Sequence, residues 1–439
     1  MANRIYLCLA HMSEAGLEQK YIQEAFDTNW VAPLGPNVNG FEEDLKAFVG
    51  QGKEVVALTT GTAAVHLSLI ACGVEPGDEV ITQSFTFCAS AHPVTYLGAT
   101  PVFVDSEKET WNMDPDLLEE AIKDRIAKTG KKPKVIMPVA LYGMPYQIDR
   151  ILEIANRYDI PVVEDAAEGF GSRYDGQVLG TFGRYGSLSF NGNKMITTSG
   201  GGALICPNKE EGDRVMWYAT QARESYPYYQ HETIGYNYRM SNICAGIGRG
   251  QMTIVNEHIA HHQHVHQLYV ELFSKIDGIE VHSQPANGRY ASNYWLTSIT
   301  IDEDLKIKGQ ENAYKEIITS PVGGVPAVIH AASSARTDCQ PNDNVEALRM
   351  ALEKAGIESR PLWKPMHKQP VYCRTNEKLG MRNEELSHGI IRQTSATSVA
   401  YVNGVSENIF KKGMCLPAGP WVKDEDVKRI VETIKANII

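Results

Sequence analysis

The chain has 439 residues, 43% of them hydrophobic and 22% charged, with a formal net charge of −11. That length predicts two domains, and the composition is that of a soluble globular protein. The negative charge argues against a general nucleic-acid binder while leaving room for a local anion pocket, and no apolar run approaches the roughly 20 residues that cross a bilayer.

The opening "MANRIYLCLAHMSEAG" lacks a small-residue cleavage site, which predicts no signal peptide. Leu17, Tyr21 and Ala25, with Ile22 and Phe26, give two i,i+4 rows of an early helix, and Phe41, Leu45 and Phe48 mark the next. Short β-branched runs follow at 54–58, 78–84, 101–105, 134–141 and 161–165, separated by helical stretches. One helix starts at Asp114, a good N-cap with Pro115 behind it. This alternation predicts a mainly parallel sheet covered on both faces, with ligands bound at the carboxyl ends of its strands. A long helix is expected over about 242–276. Beyond it come a strand at 293–301, a helix at 344–356, a strand at 357–363 and a last helix near 423–438. The stretches 321–343 and 374–400 lack clear periodicity and read as loop-rich. Eight scattered cysteines, with no CxxC pair, predict reduced, mostly structural thiols in a cytoplasmic protein.

Five features fall near strand ends of the first half. "TTGTAAVHL" puts Gly61-Thr62-Ala63 at a strand-to-helix turn, where free N–H groups suit a phosphate; a plain turn is the alternative. Phe87 in "QSFTFCAS" suits stacking on a planar ligand, or a place in the core. Asp165 in "PVVEDAAEGFGS" ends an apolar strand, either as the N-cap of a following helix or as a ligand's partner. Lys194 in "SLSFNGNKMITTSGGGALI" lies between an apolar alternation and a glycine triplet. It does not fit a nucleotide P-loop, because the order is Gly192-Asn193-Lys194-Met195. It fits a Schiff-base lysine better than a surface one. "GYNYRMSN" offers Asn237 and Arg239, or an ordinary loop and cap. Together these parts match pyridoxal phosphate, which needs a lysine, an acid for its pyridine nitrogen, an aromatic under its ring and a helix start for its phosphate. The chain order Asp165, Ser189, Lys194 carries most weight.

The motifs "GTAAVHL", "SFTFCASAHPVTYLGATPVFVD", "VVEDAAEGFGS", "SLSFNGNKMITTSGGGAL" and "GYNYRMSN" resemble the DegT/DnrJ/EryC1/StrS family of sugar aminotransferases over nearly the whole chain. Within it, "WVAPLGPNVNGFE", "ATQARE", "IESRPLWKPMH" and "KGMCLPAG" resemble the enzymes that aminate UDP-4-keto-6-deoxy-N-acetylglucosamine on the route to bacillosamine, a glycan precursor. The resemblance implies an α/β, PLP-dependent transferase of fold type I. Its large domain, over 1–260 with N-terminal helices, has a mostly parallel seven-stranded sheet, and a smaller C-terminal α/β domain spans 261–439. It implies Lys194 as Schiff-base lysine, Asp165 as the acid on the pyridine nitrogen, Glu168 near the ring, and Phe87 as stacking aromatic. Thr62, Ala63 and Ser189 become phosphate ligands. Asn237 contacts the phosphate of the neighbouring subunit, hence a cytoplasmic homodimer with shared sites.

Lys194 is the natural proton carrier of a two-stage transamination from glutamate to the sugar's C4 ketone. Arg360, Lys364, His367 and Lys368, clustered in one segment, are candidates to meet a sugar-nucleotide diphosphate, with a basic surface loop as the alternative, and Arg239 is a further substrate-binding candidate. Rival readings are another ketone (GDP-4-keto-6-deoxymannose or a 3-keto sugar), a sugar dehydratase, against which Lys194 speaks, and a non-enzymatic regulator. Family members usually carry Arg and Lys where this chain has "HIAHHQHVH". His258, His262 and His266 share a helical face there, which is expected to be solvated rather than a metal site, so no metal ligands are assigned.

Overall fold

The computed structural model describes residues 4–314, 339–373, 382–386 and 389–439. The β-branched runs form strands Glu54–Leu58, Glu79–Gln83, Thr100–Val104, Val135–Met137 and Val163–Asp165, each within a few residues of its expected bounds. Tyr185–Ser189 and Gly202–Cys206 complete a seven-strand array. Its order is 54–58, 202–206, 185–189, 163–165, 135–137, 79–83, 100–104. Parallel bridges Ile136–Val162 and Val139–Asp165 join its two halves. Only Gly202–Cys206 runs antiparallel to its neighbours. The strands ending at Leu58, Gln83, Met137, Asp165 and Ser189 therefore all deliver their carboxyl ends to one edge, and the candidate chemistry gathers there.

Helices cover the sheet. Gly61–Ala71 is apolar on nearly all sides and is buried as a whole, as an interior helix must be. Pro115–Thr129 starts as expected, with Asp114 accepting from the N–H groups of Asp116 and Leu117. The expected long helix is two, Asn242–Met252 and Val255–Phe273, parted at Thr253-Ile254. A second sheet, antiparallel throughout, pairs Ile279–Val281, Thr297–Ile301, Gly413–Leu416 and Arg360–Pro361. Helices Val255–Phe273, Asp343–Lys354 and Asp424–Asn437 pack on it around Tyr269, Ile299, Leu348 and Ile430. Among the described residues no helix is long and apolar enough to cross a membrane.

Two expectations need correction. The stretch 374–400 is not simply loop. Residues 374–381 lie outside the described residues, but Arg382–Glu385, Ile391–Thr394 and Val399–Val402 form an antiparallel meander. Its last strand pairs in parallel with Thr100–Val104 and widens the large sheet. The first of these strands is exposed along its length, so it lacks the alternation that betrays a half-buried strand. Of 321–343, residues 321–338 lie outside the described residues. The second correction concerns the histidine face. His258, His262 and His266 are buried, not solvated. Their rings reach the Met195 carbonyl (3.1 Å), the Tyr294 carbonyl (3.2 Å) and Ser283 Oγ (3.1 Å). Among the described residues no group of three or more His, Cys, Asp or Glu side chains is placed to hold a metal.

Candidate active site

A cavity of about 340 Å3 opens at the carboxyl edge of the large sheet, lined by Thr62, Phe87, Asp165, Glu168, Ser189 and Lys194 among others. Six of the eight residues assigned to the cofactor thus meet in one place, although they span more than a hundred positions of chain.

The floor is acidic. Asp165 is 4% exposed and ends its strand without starting a helix, which removes the N-cap alternative. Its Oδ1 accepts from the Ala167 N–H (3.1 Å) and its Oδ2 from Ser90 Oγ (2.6 Å). Burial pushes its pKa up, while Ser90, the Ala167 amide and Lys194 pull the other way. Among the described residues no cation lies within ion-pair distance of it. A buried carboxylate in this state suits a ligand that brings a positive N–H.

Lys194 Nζ lies 3.3 Å from Glu168 Oε1 and 3.8 Å from the ring centroid of Trp295. Glu168 Oε2 accepts from the Tyr142 N–H at 2.7 Å. Tyr142 reaches that position with φ of 52°, a left-handed conformation uncommon outside glycine. Burial raises the pKa of Glu168, with Lys194 as the main opposing influence. The Trp295 indole donates to the Asn193 carbonyl at 2.6 Å and so fixes the turn that presents Lys194.

The phosphate end is the start of helix Gly61–Ala71. Thr60 caps it, accepting from the Ala63 N–H at 2.9 Å. Ala63 therefore spends its amide on Thr60 and does not line the cavity; Gly61 and Thr62 do, beside Ser189. A Cβ at Gly61 would stand 2.8 Å from Ser189 Cβ, and one at Gly202 would collide with Thr60 and Gly61. The two glycines let strand and helix start close into a cradle around orphan N–H groups. Phe87 is 48% exposed, an aromatic wall of the cavity rather than a core residue. Carbonyl-reactive amine, buried acid, flat aromatic wall and anion cradle fit pyridoxal phosphate.

The remaining assigned residues lie elsewhere. Asn237 is exposed, and Arg239 acts on Glu42 instead of lining the cavity. Arg360 donates to Glu358 at 2.7 Å. His367 is buried between Ser84 Oγ (2.6 Å) and Glu407 Oε1 (3.3 Å), and Lys368 also pairs with Glu407 (3.0 Å). Lys364 is half-buried outside the lining. From that segment Trp363 reaches the cavity, its ring 5.2 Å from that of Phe87 and its backbone N–H donating to Tyr142 OH at 2.8 Å. Sequence reading missed Ser90, Trp295 and Trp363. Ser90 was within reach, as a hydroxyl three residues after Phe87; nothing local marks the tryptophans.

This is the site and fold of a pyridoxal-phosphate-dependent aminotransferase. The chain belongs to the DegT/DnrJ/EryC1/StrS aminotransferase family, whose profile matches residues 13–319. It is 39% identical over 434 residues to EpsN of Bacillus subtilis (strain 168), covering 99% of this chain and 96% of that one; EpsN is itself provisionally assigned as a pyridoxal phosphate-dependent aminotransferase. It is 31% identical over 429 residues to GDP-perosamine synthase of Escherichia coli O157:H7, covering 98% of each. A crystal structure of a family aminotransferase from Brucella abortus superposes with a TM-score of 0.76 at 25% identity, over 96% of this chain and 95% of the other.

Proposed function

We propose that the protein moves an amino group from glutamate to the C4 ketone of a nucleotide-linked 4-keto-6-deoxy sugar, with UDP-4-keto-6-deoxy-N-acetylglucosamine as its substrate. The observation that carries the reaction type is the Lys194 amine facing a cavity floored by the buried Asp165 carboxylate. Pyridoxal phosphate, when bound, supplies a carbonyl that takes up the amino group and a ring that accepts electrons. Asp165 holds a proton on the pyridine nitrogen, and Phe87 covers one ring face. Thr62 and Ser189 hold the phosphate at the helix start. Lys194 Nζ carries the proton between the reacting carbons, and Glu168 keeps the amine aimed into the cavity until it is needed.

The protein acts as a cytoplasmic homodimer in which Asn237 of one subunit completes the phosphate site of the other. The exposure of Asn237, and of Tyr226, Tyr228, Tyr229 and Ile234 just before it, supports a surface that a second copy covers. The free state of all eight cysteines agrees with the cytoplasm.

The UDP sugar is favoured by the likeness of "IESRPLWKPMH", the segment from which Trp363 enters the cavity. A second reading, a GDP-linked 4-keto-6-deoxymannose, is favoured by the full-length likeness to GDP-perosamine synthase. The diphosphate is common to both sugars and does not separate them. Competition kinetics between the two keto sugars, with glutamate as donor, separates the readings. A polar group left unpaired by the wrong sugar gives a preference of about tenfold or more in kcat/KM for the UDP sugar. Equal values, or a lead for the GDP sugar, overturn the substrate while leaving the aminotransferase standing.

A further inference from the structure

We infer that Ser90, backed by Thr86, is a positioning residue for the acid of the site. The two hydroxyls form a one-way hydrogen-bond relay that sets how Asp165 meets the pyridine nitrogen of the cofactor. The direction follows from counting protons. An ionised carboxylate only accepts, so the single Ser90 hydroxyl proton must go to Asp165 Oδ2, 2.6 Å away. Thr86 Oγ1 lies 2.7 Å from Ser90 Oγ. Ser90 has no second proton to give, so Thr86 donates to it. The Ala167 N–H takes up Oδ1. Thr86 and Ser90 are each 1% exposed, so water does not compete for these bonds. With both oxygens engaged from fixed directions, the carboxylate cannot rotate.

The relay is built into the segment that supplies the ring wall. Phe87 stands extended before the short 3-10 turn Cys88–Ser90, and the Ser90 N–H closes on the Phe87 carbonyl at 3.2 Å. One stretch, Thr86 to Ser90, thus supplies both the aromatic wall and the hydroxyls that hold the acid.

The chemical consequence is a tuned acid. A hydrogen bond donated to a carboxylate favours its charged form, against the burial that disfavours it. Without the Ser90 hydroxyl, Asp165 becomes more basic and draws the shared proton away from the pyridine nitrogen. The ring then accepts electrons less well. The inference rests on the aminotransferase reading but not on the identity of the sugar.

The test uses the holoenzyme and three variants, Ser90→Ala, Thr86→Val and Ser90→Thr. The visible absorbance of the lysine-bound cofactor is titrated against pH, and the single-turnover reaction with glutamate is timed without any sugar. A proton on the pyridine nitrogen repels one on the lysine-bound nitrogen, so losing the relay raises the titration midpoint. Ser90→Ala is expected to raise it by about 0.5–1 pH unit and to slow the glutamate reaction by about tenfold. Thr86→Val shifts it the same way by less, and Ser90→Thr restores the wild-type midpoint. A merely structural role would lower the melting temperature and leave the midpoint in place. An unchanged midpoint in Ser90→Ala overturns the relay. If that variant does not fold, an unchanged midpoint in Thr86→Val does so. Failure of the sugar assignment would show instead as an intact glutamate reaction with no amination of the sugar.

Discussion

Lys194 and Glu168 form the one ion pair that faces the cavity among the described residues, with side chains 13% and 5% exposed. Breaking a buried pair by removing one partner usually costs 3–5 kcal/mol, because the other charge is stranded. Here the raised pKa of Glu168 offers an escape, since the carboxyl can take a proton instead. Lys194→Ala should therefore fold and keep cofactor through the separate Thr62 and Ser189 contacts. It should lose turnover by about a thousandfold or more, through loss of both the covalent anchor and the proton carrier. Steady-state turnover with glutamate checks this, and a rate within tenfold of wild type removes Lys194 from its role.

At the scale of the element, helix Val255–Phe273 carries an unusual load. His258, His262 and His266 are buried along it, and the neighbouring His282 stacks on Trp111 with centroids 3.7 Å apart. In His258 and His262 the Nδ1–H donates to a carbonyl, which leaves Nε2 buried with no partner. A second proton would have nowhere to go, and burial pushes the pKa of His262 down to about 3 and that of His266 to about 4. The sign follows by linkage. Below the unfolded value near 6.5 the unfolded chain binds protons that the folded chain refuses, so each such histidine costs stability as pH falls from about 6.5 toward its folded value, by about 1.4 kcal/mol per unit. Carboxyls with raised folded values act in the opposite direction, Glu42 at about 7 among them, so the informative quantity is a difference between variants. Denaturant unfolding at pH 7 and pH 5 should show that His262→Gln loses less stability between the two than wild type does. Equal losses would mean that His262 is protonated in the folded state.

For the whole molecule, the proposed sharing of the site between two subunits makes a prediction no single chain can. Asn237→Ala alone should weaken cofactor binding, and Lys194→Ala alone should abolish turnover. In a mixed dimer one site carries both lesions and the other neither, so at a cofactor concentration too low to load the Asn237→Ala protein, mixing the two variants should restore activity, up to about a quarter of wild type for random pairing of equal amounts. No recovery after verified subunit exchange would place Asn237 in its own subunit's site. The large sheet is likewise a whole-molecule property. Its strand Thr100–Val104 is covered by Val399–Val402, some three hundred residues later, which moves the edge of the sheet out to the exposed, charged strand Arg382–Glu385.

Local chemistry alone settled much of this protein. Each β-branched run became a strand within a few residues of its expected bounds, because side-chain alternation and turn residues act over a handful of positions. Lys194, Asp165 and Phe87 were legible for a related reason: a lysine among glycines, an acid ending an apolar strand and an aromatic just past one conflict with the ordinary uses of those residues. What the local pattern could not carry was strand order and the partners it creates. The strand ending at Ser189 pairs in parallel with that ending at Asp165, and the antiparallel Gly202–Cys206 strand beyond it brings the end at Leu58 to the same edge; no periodicity within any of them announces that. Trp295 and Trp363 enter the cavity from the distant second sheet and its flank. Arg360 and His367 are drawn off to Glu358 and Glu407, although in sequence they looked like a basic cluster. The histidine helix looked like a solvated face, because spacing says which residues share a side and never what packs against it. Side-chain periodicity is a property of one element; a binding site is a property of which elements meet, and only the tertiary fold decides that.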